Sequence, residues 1–231
     1  MALRDFNRTM LLPMRIWDAP TRLFHWALVL LVLASVVSVE AGWMRVHLTS
    51  GYMVLTLLLF RLAWGFIGSE TARFRRFVVS PAKVLRYLRG FRQPGPDTQA
   101  GHNPAGGWVV LGFLLLLAVQ VTSGLFNTEE YGAPYAAAGP LADYVSKPTA
   151  SLAGTIHAVN FSLLLALIVL HVVAVGVYVR VKKHDLVRPM ITGVKRLPAA
   201  TRQPRLVGPL RAALVLAVAG AAVWALVVTL A

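Results

Sequence analysis

The sequence has no cysteine in its 231 residues. This absence excludes disulfide bonds, covalent attachment of c-type haem through a C-x-x-C-H motif, and metal clusters that depend on thiolate ligands. Any metal bound by the chain must therefore be held by histidine, methionine or carboxylate side chains.

Acidic residues are scarce as well. Nine Asp and Glu stand against 23 Lys and Arg, which gives a formal net charge of +14. In a soluble protein this excess would suggest nucleic-acid binding, but the basic residues here are concentrated in alternate loops, so we expect no nucleic-acid partner. Hydrophobic residues make up 57% of the chain and the mean hydropathy is +0.66, whereas soluble domains have an apolar share of ~45–50%. The composition indicates a membrane protein.

Five apolar runs are long enough to cross a membrane, which needs ~20 residues of helix. They lie at about 24–41, 46–67, 108–126, 154–179 and 209–230. Basic residues cluster before the first run, between the second and third, and after the fourth, so the positive-inside bias places these segments in the cytoplasm. The sequence therefore predicts an all-α integral membrane bundle with a cytoplasmic N-terminus and a C-terminus on the outer side.

The chain is expected to divide at about residue 190. Residues 1–190 would form a four-helix core, and residues 191–231 a basic linker with an additional membrane helix that packs on the core or contacts a partner subunit. In the long inner loop, Ser80 and Pro81 begin a predicted short helix whose basic face suits anionic lipid headgroups. Membrane lipid is thus an expected partner.

Four histidines lie within the apolar runs: His25, His47, His157 and His171. Ionisable residues inside a bilayer are costly, which makes each a candidate functional residue. His157 and His171 are separated by ~21 Å along a helix and return to nearly the same face. The alternating direction of the spans matches His25 to His171 in depth near the inner side, and His47 to His157 near the outer side.

Two pairs of histidines stacked across a helical bundle suit two haems, because imidazole is a good axial ligand for iron. Zinc fits less well, since it usually takes at least three protein ligands. A proton relay would predict further carboxylates within the spans, and a single histidine is as often an interhelical hydrogen-bonding residue. Arg22 and Arg45, beside two of the histidines, are candidates for pairing with haem propionates or ordinary membrane-edge residues.

Several motifs resemble the bacterial cytochrome b561 family, which includes the b-type subunits of membrane-bound nickel–iron hydrogenases. Residues 17–26 (WDAPTRLFHW) resemble its opening motif, residues 45–68 its second span, and residues 101–104 (GHNP) the start of its third. The resemblance covers about residues 14–190. It implies a four-helix core with two haems b, one held by His25 and His171 and the other by His47 and His157.

The resemblance also implies electron exchange between the quinone pool and a redox partner in a bacterial inner membrane. It points to His102 and Asn103 as quinone-contacting residues, although Asn103 with Pro104 is also typical of a helix-start turn. The expected outer-face partner is a periplasmic c-type cytochrome or a hydrogenase-like enzyme. A second copy of this chain is another possible partner. Glu129, Glu130 and Asp143 on the outer side suit a lysine-rimmed carrier.

Two other functions compete with this one. The first is a haem-containing anchor subunit that holds a catalytic partner at the membrane without quinone chemistry of its own. The second is a cofactor-free transporter or proton channel, which the absence of carboxylates and broken helices within the spans disfavours.

Overall fold

The computed structural model describes residues 10–93, 97–128 and 138–230. Five long helices dominate it: α1 (Ala19–Glu40), α2 (Met44–Ile67), α5 (Pro104–Leu125), α6 (Lys147–Arg180) and α8 (Pro209–Leu230). All five are long and apolar enough to cross a membrane. The predicted all-α membrane bundle with a fifth C-terminal span is confirmed.

Three of these helices begin four to seven residues before the predicted apolar runs, because polar residues cap their first turns. Asp18 Oδ1 accepts a hydrogen bond of 2.7 Å from the Thr21 N–H at the start of α1. Asn103 Oδ1 accepts one of 2.7 Å from the Gly106 N–H at the start of α5. Ser146 does the same for α6, accepting from the Thr149 N–H at 3.4 Å. Side-chain caps satisfy the free N–H groups of a first helical turn, so each helix begins before the residue at which the apolar run begins.

Shorter elements lie between and after the spans. They comprise the helices α3 (Phe74–Phe77), α4 (Pro81–Arg89) and α7 (Val187–Thr192), and the strands β1 (Leu11–Arg15) and β2 (Val194–Pro198). Helix α4 starts at Pro81 as predicted. The Ser80 side chain makes no capping hydrogen bond, and its carbonyl instead accepts from the Lys83 and Val84 N–H groups at 2.9 and 3.2 Å. The predicted lipid contact of α4 stays a prediction.

The two strands form an antiparallel pair in which Leu11 faces Pro198 and Arg15 faces Val194. Met14, Ile16, Trp17 and Leu197 form a small buried core against this pair. The sequence analysis missed the sheet, because its strands are short and lie far apart in the chain. The sheet joins a segment before the first span to one after residue 190. The predicted division of the chain into residues 1–190 and 191–231 stays a prediction.

Two compact units can be described separately. The first, called here the loop unit, comprises residues up to 23, 63–111 and 168–212, and the second, the span unit, comprises residues 24–62, 112–167 and 213–231. The loop unit contains the sheet and the short helices. The span unit contains most of α1, α2 and α8, the second half of α5 and the first part of α6.

Candidate functional site

His47 and His157 face each other within the span unit. Their ring centroids are 6.2 Å apart and the ring planes meet at 79°. Two imidazoles that ligate one metal ion from opposite sides have ring centres roughly 6–6.5 Å apart, given a metal–nitrogen bond of ~2.0 Å and a ring radius of ~1.1 Å. The two rings thus have the separation of a pair of axial ligands.

Both rings are held by backbone carbonyls of a neighbouring helix. His47 Nδ1 lies 3.0 Å from the Ser35 carbonyl oxygen, and His157 Nδ1 lies 2.9 Å from that of Gln120. A carbonyl oxygen only accepts, so each Nδ1 donates its proton and each Nε2 keeps a free lone pair. This tautomer is the one in which imidazole ligates a metal through Nε2.

Further hydrogen bonds join the helices beside the two histidines. Asn160, one turn after His157 and 5% exposed, donates through Nδ2 to the Leu116 carbonyl at 2.9 Å and to Gln120 Oε1 at 2.6 Å. Across the unit, the Ser35 and Ser50 hydroxyl groups lie 2.6 Å apart. These interhelical bonds fix the two helices that carry the histidines against the helices whose carbonyls hold the rings.

Two glycines lie next to the histidines. A Cβ added at Gly124 would lie 3.0 Å from His157 Cε1, whereas one added at Gly51, one turn after His47, would meet no atom within 4 Å. Gly124 therefore lets the His157 ring lie close to the α5 backbone. The space beside Gly51 leaves room for the face of a flat cofactor, so the residues of this site fit a haem.

The other two histidines belong to different units, His25 to the span unit and His171 to the loop unit. The His25 ring packs edge-on against Trp26 with centroids 5.0 Å apart. Their pairing stays a prediction. Among the described residues, no three His, Asp or Glu side chains gather in a way that would hold a metal ion.

The two arginines predicted to meet haem propionates differ in their surroundings. Arg22 donates a hydrogen bond through Nη1 to the Ile191 carbonyl within the loop unit. Arg45 is exposed near the start of α2. Their role toward propionates stays a prediction.

His102 and Asn103 both lie in the loop unit. The His102 ring is enclosed between Trp17 and Phe77, with both centroid distances 4.7 Å, and it borders a cavity of about 290 Å³. Asn103 is the N-cap of α5, as the alternative interpretation held. A quinone contact by either residue stays a prediction.

His184, which follows α6, is largely enclosed. Its side chain is 17% exposed and its Nδ1 lies 3.8 Å from Asp97 Oδ2. Lys195 Nζ lies 2.6 Å from the same carboxylate oxygen. Glu129 and Glu130 lie outside the described residues.

Sequence reasoning missed three polar residues inside the spans: Arg61, Gln120 and Asn160. Arg61 is 3% exposed and Asn160 is 5% exposed. The signal was available for Arg61, because it follows His47 by 14 residues, the same spacing that separates His157 from His171. Gln120 and Asn160 carry no such spacing signal.

Comparison with known proteins identifies the family of this chain. The family described as "Prokaryotic cytochrome b561" matches residues 16–193. Two curated proteins, each named "Probable Ni/Fe-hydrogenase 1 B-type cytochrome subunit", come from Escherichia coli strain K12 and Escherichia coli O157:H7. Each is 26% identical to this chain over 144 residues, covering 50% of this chain and 60% of the relative.

This chain thus spans less than two thirds of the curated relatives it matches. No solved structure matches it. The family match covers most of the sequence, including all four span histidines and the helices that carry them. The chain belongs to the prokaryotic cytochrome b561 family and is a multi-pass membrane cytochrome of the b type.

Proposed function

We propose that this chain is a two-haem cytochrome that carries electrons between the quinone pool and a redox partner on the outer side of a bacterial inner membrane. The observation that carries the proposal is the geometry of His47 and His157, whose ring centroids lie 6.2 Å apart and whose Nδ1 atoms are both bonded to carbonyls. His47 and His157 would hold the haem iron through their Nε2 atoms.

A second haem, held by His25 and His171, follows from the depth matching of the four histidines and from the family resemblance. Bound haem supplies one-electron chemistry, since its iron alternates between the ferrous and ferric states. The chain's own residues bind the group, fix its ligand tautomers and surround it with apolar helices. A matched pair of sites ~21 Å apart along the helix axis would carry electrons across the membrane.

Quinone chemistry is proposed for the surroundings of His102. Its ring lies between two aromatic side chains and beside a cavity that also has Gln99 and Arg202 in its lining. Histidine exchanges protons near neutral pH, and quinone reduction requires proton uptake together with electrons. Asn103 would act mainly by starting α5 and thereby positioning His102.

The partner proposed for the outer side is a hydrogenase-like enzyme or a periplasmic c-type cytochrome. The names of the two curated relatives favour the first. The fifth span, α8, would then pack on the core or contact a partner subunit or a second copy of this chain.

Quinol-driven haem reduction tests the proposal. Purified protein in liposomes is mixed with a quinol, and the haem α band is recorded over time. We expect rapid reduction in the wild type, at least tenfold slower reduction in His102→Ala, and a wild-type rate in His184→Ala. Full haem content without reduction by any quinol would contradict the quinone role and favour the anchor function.

A further inference from the structure

A second cavity, of about 330 Å³, lies within the loop unit at the ends of two membrane helices. It is lined by Tyr178, close to the end of α6, and by Asn103, which precedes α5. Residues of α4 and β2 also line it. Apolar spans end where the hydrocarbon core gives way to lipid headgroups, so the cavity lies at the depth of the headgroups.

The cavity is lined by more cationic than anionic side chains. Arg86, Lys182 and Lys195 line it together with one carboxylate, that of Asp97. Lys195 Nζ lies 2.6 Å from Asp97 Oδ2, so these two charges offset each other. His184 also lines the cavity and adds a charge only when it is protonated. Arg86 and Lys182 therefore give the lining a positive excess, which suits an anionic ligand.

Lys182 is held in place by the loop that follows α4. Its Nζ donates to the carbonyl oxygens of Phe91 and Gln93, both at 2.7 Å, and lies 5.2 Å from the centre of the Phe91 ring. An ammonium group carries three N–H bonds, and neutral carbonyls do not cancel its charge. Lys182 can thus offer an anion a fixed charge and its third N–H.

Two phenols add hydrogen-bonding groups to the lining. The hydroxyl oxygens of Tyr87 and Tyr178 lie 2.7 Å apart, and both residues line the cavity. Burial, together with the hydrogen bond to Tyr178, raises the pKa of Tyr87, so its phenol stays protonated at neutral pH. Whichever hydroxyl donates within the pair, the other keeps its own O–H as a donor. Phosphate oxygens accept such bonds, and they accept stronger ones from lysine and arginine.

The surface of α4 beside the cavity is partly apolar. Leu85 and Leu88, which flank Arg86 and Tyr87, are 50% and 48% exposed. Basic and apolar side chains on one short helix are typical of a helix that lies in the headgroup plane. The two leucines therefore suit the acyl chains of a lipid whose headgroup enters the cavity.

We propose that this cavity binds the phosphate group of one anionic phospholipid through Arg86, Lys182 and the pair of tyrosines. The bound lipid joins α4 to the end of α6, because Arg86 and Tyr87 belong to the first helix and Tyr178 to the second. Such binding differs from the general attraction of a basic loop to a membrane surface, since it requires particular side chains. It does not depend on haem.

The test is native mass spectrometry of the full chain, purified in detergent and titrated with phosphatidylglycerol or phosphatidylcholine. We expect one phosphatidylglycerol to bind about tenfold more tightly than phosphatidylcholine, because it carries a net negative charge and two basic residues each add attraction. Equal affinities for the two lipids would overturn the proposed site.

Arg86→Gln and Arg89→Gln form a matched pair. Both are exposed arginines of α4, and of the two Arg86 lines the cavity. Arg86→Gln should weaken phosphatidylglycerol binding about tenfold, the scale of a lost hydrogen bond between charged groups. Arg89→Gln should weaken it less than about threefold, since salt screens a charge outside the site. Equal weakening by both variants would refute the site and indicate a general effect of charge.

Lys182→Gln and Lys183→Gln form a second pair, because Lys183 is an exposed neighbour of Lys182. We expect weaker lipid binding in Lys182→Gln and wild-type binding in Lys183→Gln, and equal binding in both would contradict the role of Lys182. If Lys182→Gln fails to fold, because it loses the bonds to Phe91 and Gln93, the arginine pair decides.

Inorganic phosphate, added as a competitor, distinguishes a lipid headgroup from a free anion. We expect phosphatidylglycerol to remain bound when inorganic phosphate is present at an equal concentration, because the acyl chains contribute to lipid binding. Displacement of the lipid by inorganic phosphate would show that the cavity takes the free anion and would overturn the lipid assignment.

Discussion

The polar contacts inside the loop unit differ in kind from those inside the span unit. In the loop unit, Glu70 forms ion pairs with Arg76 and Arg202, and Asp97 pairs with Lys195. In the span unit, hydrogen bonds between helices join neutral groups, such as the Asn160 amide and the Gln120 side chain. Ion pairs thus contribute to the stability of the loop unit, whereas hydrogen bonds between neutral groups contribute to that of the span unit.

The difference follows the surroundings of each unit. Neutral hydrogen bonds between helices avoid the cost of placing charges in hydrocarbon. Those between the histidines and backbone carbonyls also fix the Nδ1 side of His47 and His157, which leaves Nε2 available for a metal. We therefore expect the proposed ligand site to respond strongly to changes in size and hydrogen bonding, and the loop unit to respond to pH.

The largest effect is expected from His157→Leu, which removes one ligand of the charge-free site. The protein should fall from two haems per chain to one, because a single imidazole leaves the iron without its second axial ligand. Pyridine haemochrome quantification measures this. His184→Leu, in the loop unit, should keep both haems, and retention of both in His157→Leu would refute the ligand assignment.

A smaller effect is expected from Gly124→Ala. The new Cβ would lie 3.0 Å from His157 Cε1, so the ring must move, and we expect haem affinity at this site to fall about tenfold, the scale of changes to the groups around a metal ligand. Haem titration of the apoprotein measures it. Gly220→Ala is the control, since its Cβ would make an ordinary 3.9 Å contact with Thr56. Equal affinities in the two variants would contradict the close packing of Gly124 on His157.

Asn160→Leu should lower stability by about 0.6–1.7 kcal/mol, the range measured for hydrogen bonds between membrane helices. It removes the bonds to the Leu116 carbonyl and to Gln120. Thermal unfolding followed at the haem absorbance provides the measurement. Ser162→Leu, at an exposed position of the same helix, should have no such effect. If both variants unfold alike, the buried amide is not what holds α5 to α6.

The smallest effect is expected in the loop unit. A backbone hydrogen bond from Arg205, with Arg76 and Arg202 nearby, lowers the pKa of Glu70 below its usual 4.5. A lowered carboxyl pKa means that Glu70 stabilises the fold above pH ~4.5 and loses this contribution as the pH falls through the lowered value. Glu70→Gln should therefore unfold slightly earlier than the wild type at pH 7, because exposed ion pairs contribute little.

That difference should disappear below the lowered pKa. Thermal unfolding at several pH values measures it, with the haem spectrum of the folded protein as a second signal that should not change. If Glu70→Gln changes the haem spectrum at neutral pH, Glu70 also affects the haem sites, which would contradict the expectation that its ion pairs act only on the stability of the loop unit.

Local sequence patterns were sufficient to predict the membrane spans and the relative depths of the histidines. Five spans follow from apolar runs, and the pairing of His47 with His157 follows from helix direction and rise. The His47 and His157 rings lie 6.2 Å apart, and their assignment as ligands of one haem stays a prediction. The early starts at Ala19 and Lys147 were missed, because capping residues such as Asp18 and Ser146 are polar and typical of loops. The start at Pro104 was one of the two interpretations offered for Asn103 and Pro104.

Contacts between distant segments could not be predicted in the same way. The strand pair of Leu11–Arg15 with Val194–Pro198 joins segments separated by four spans, and no local pattern marks the two strands as partners. The enclosure of His184 by Asp97 and Tyr178 likewise depends on segments that meet only after folding. Arg61 was the exception, since its spacing from His47 was visible but the sequence analysis assigned it no role.

The most direct test of the central claim is a dithionite-reduced minus oxidised spectrum of the detergent-purified protein, with pyridine haemochrome quantification. We predict a b-type α band and about two haems per chain, in keeping with two pairs of axial histidines. A colourless protein, prepared with haem available, would contradict the account and leave the four histidines with roles in packing or proton transfer.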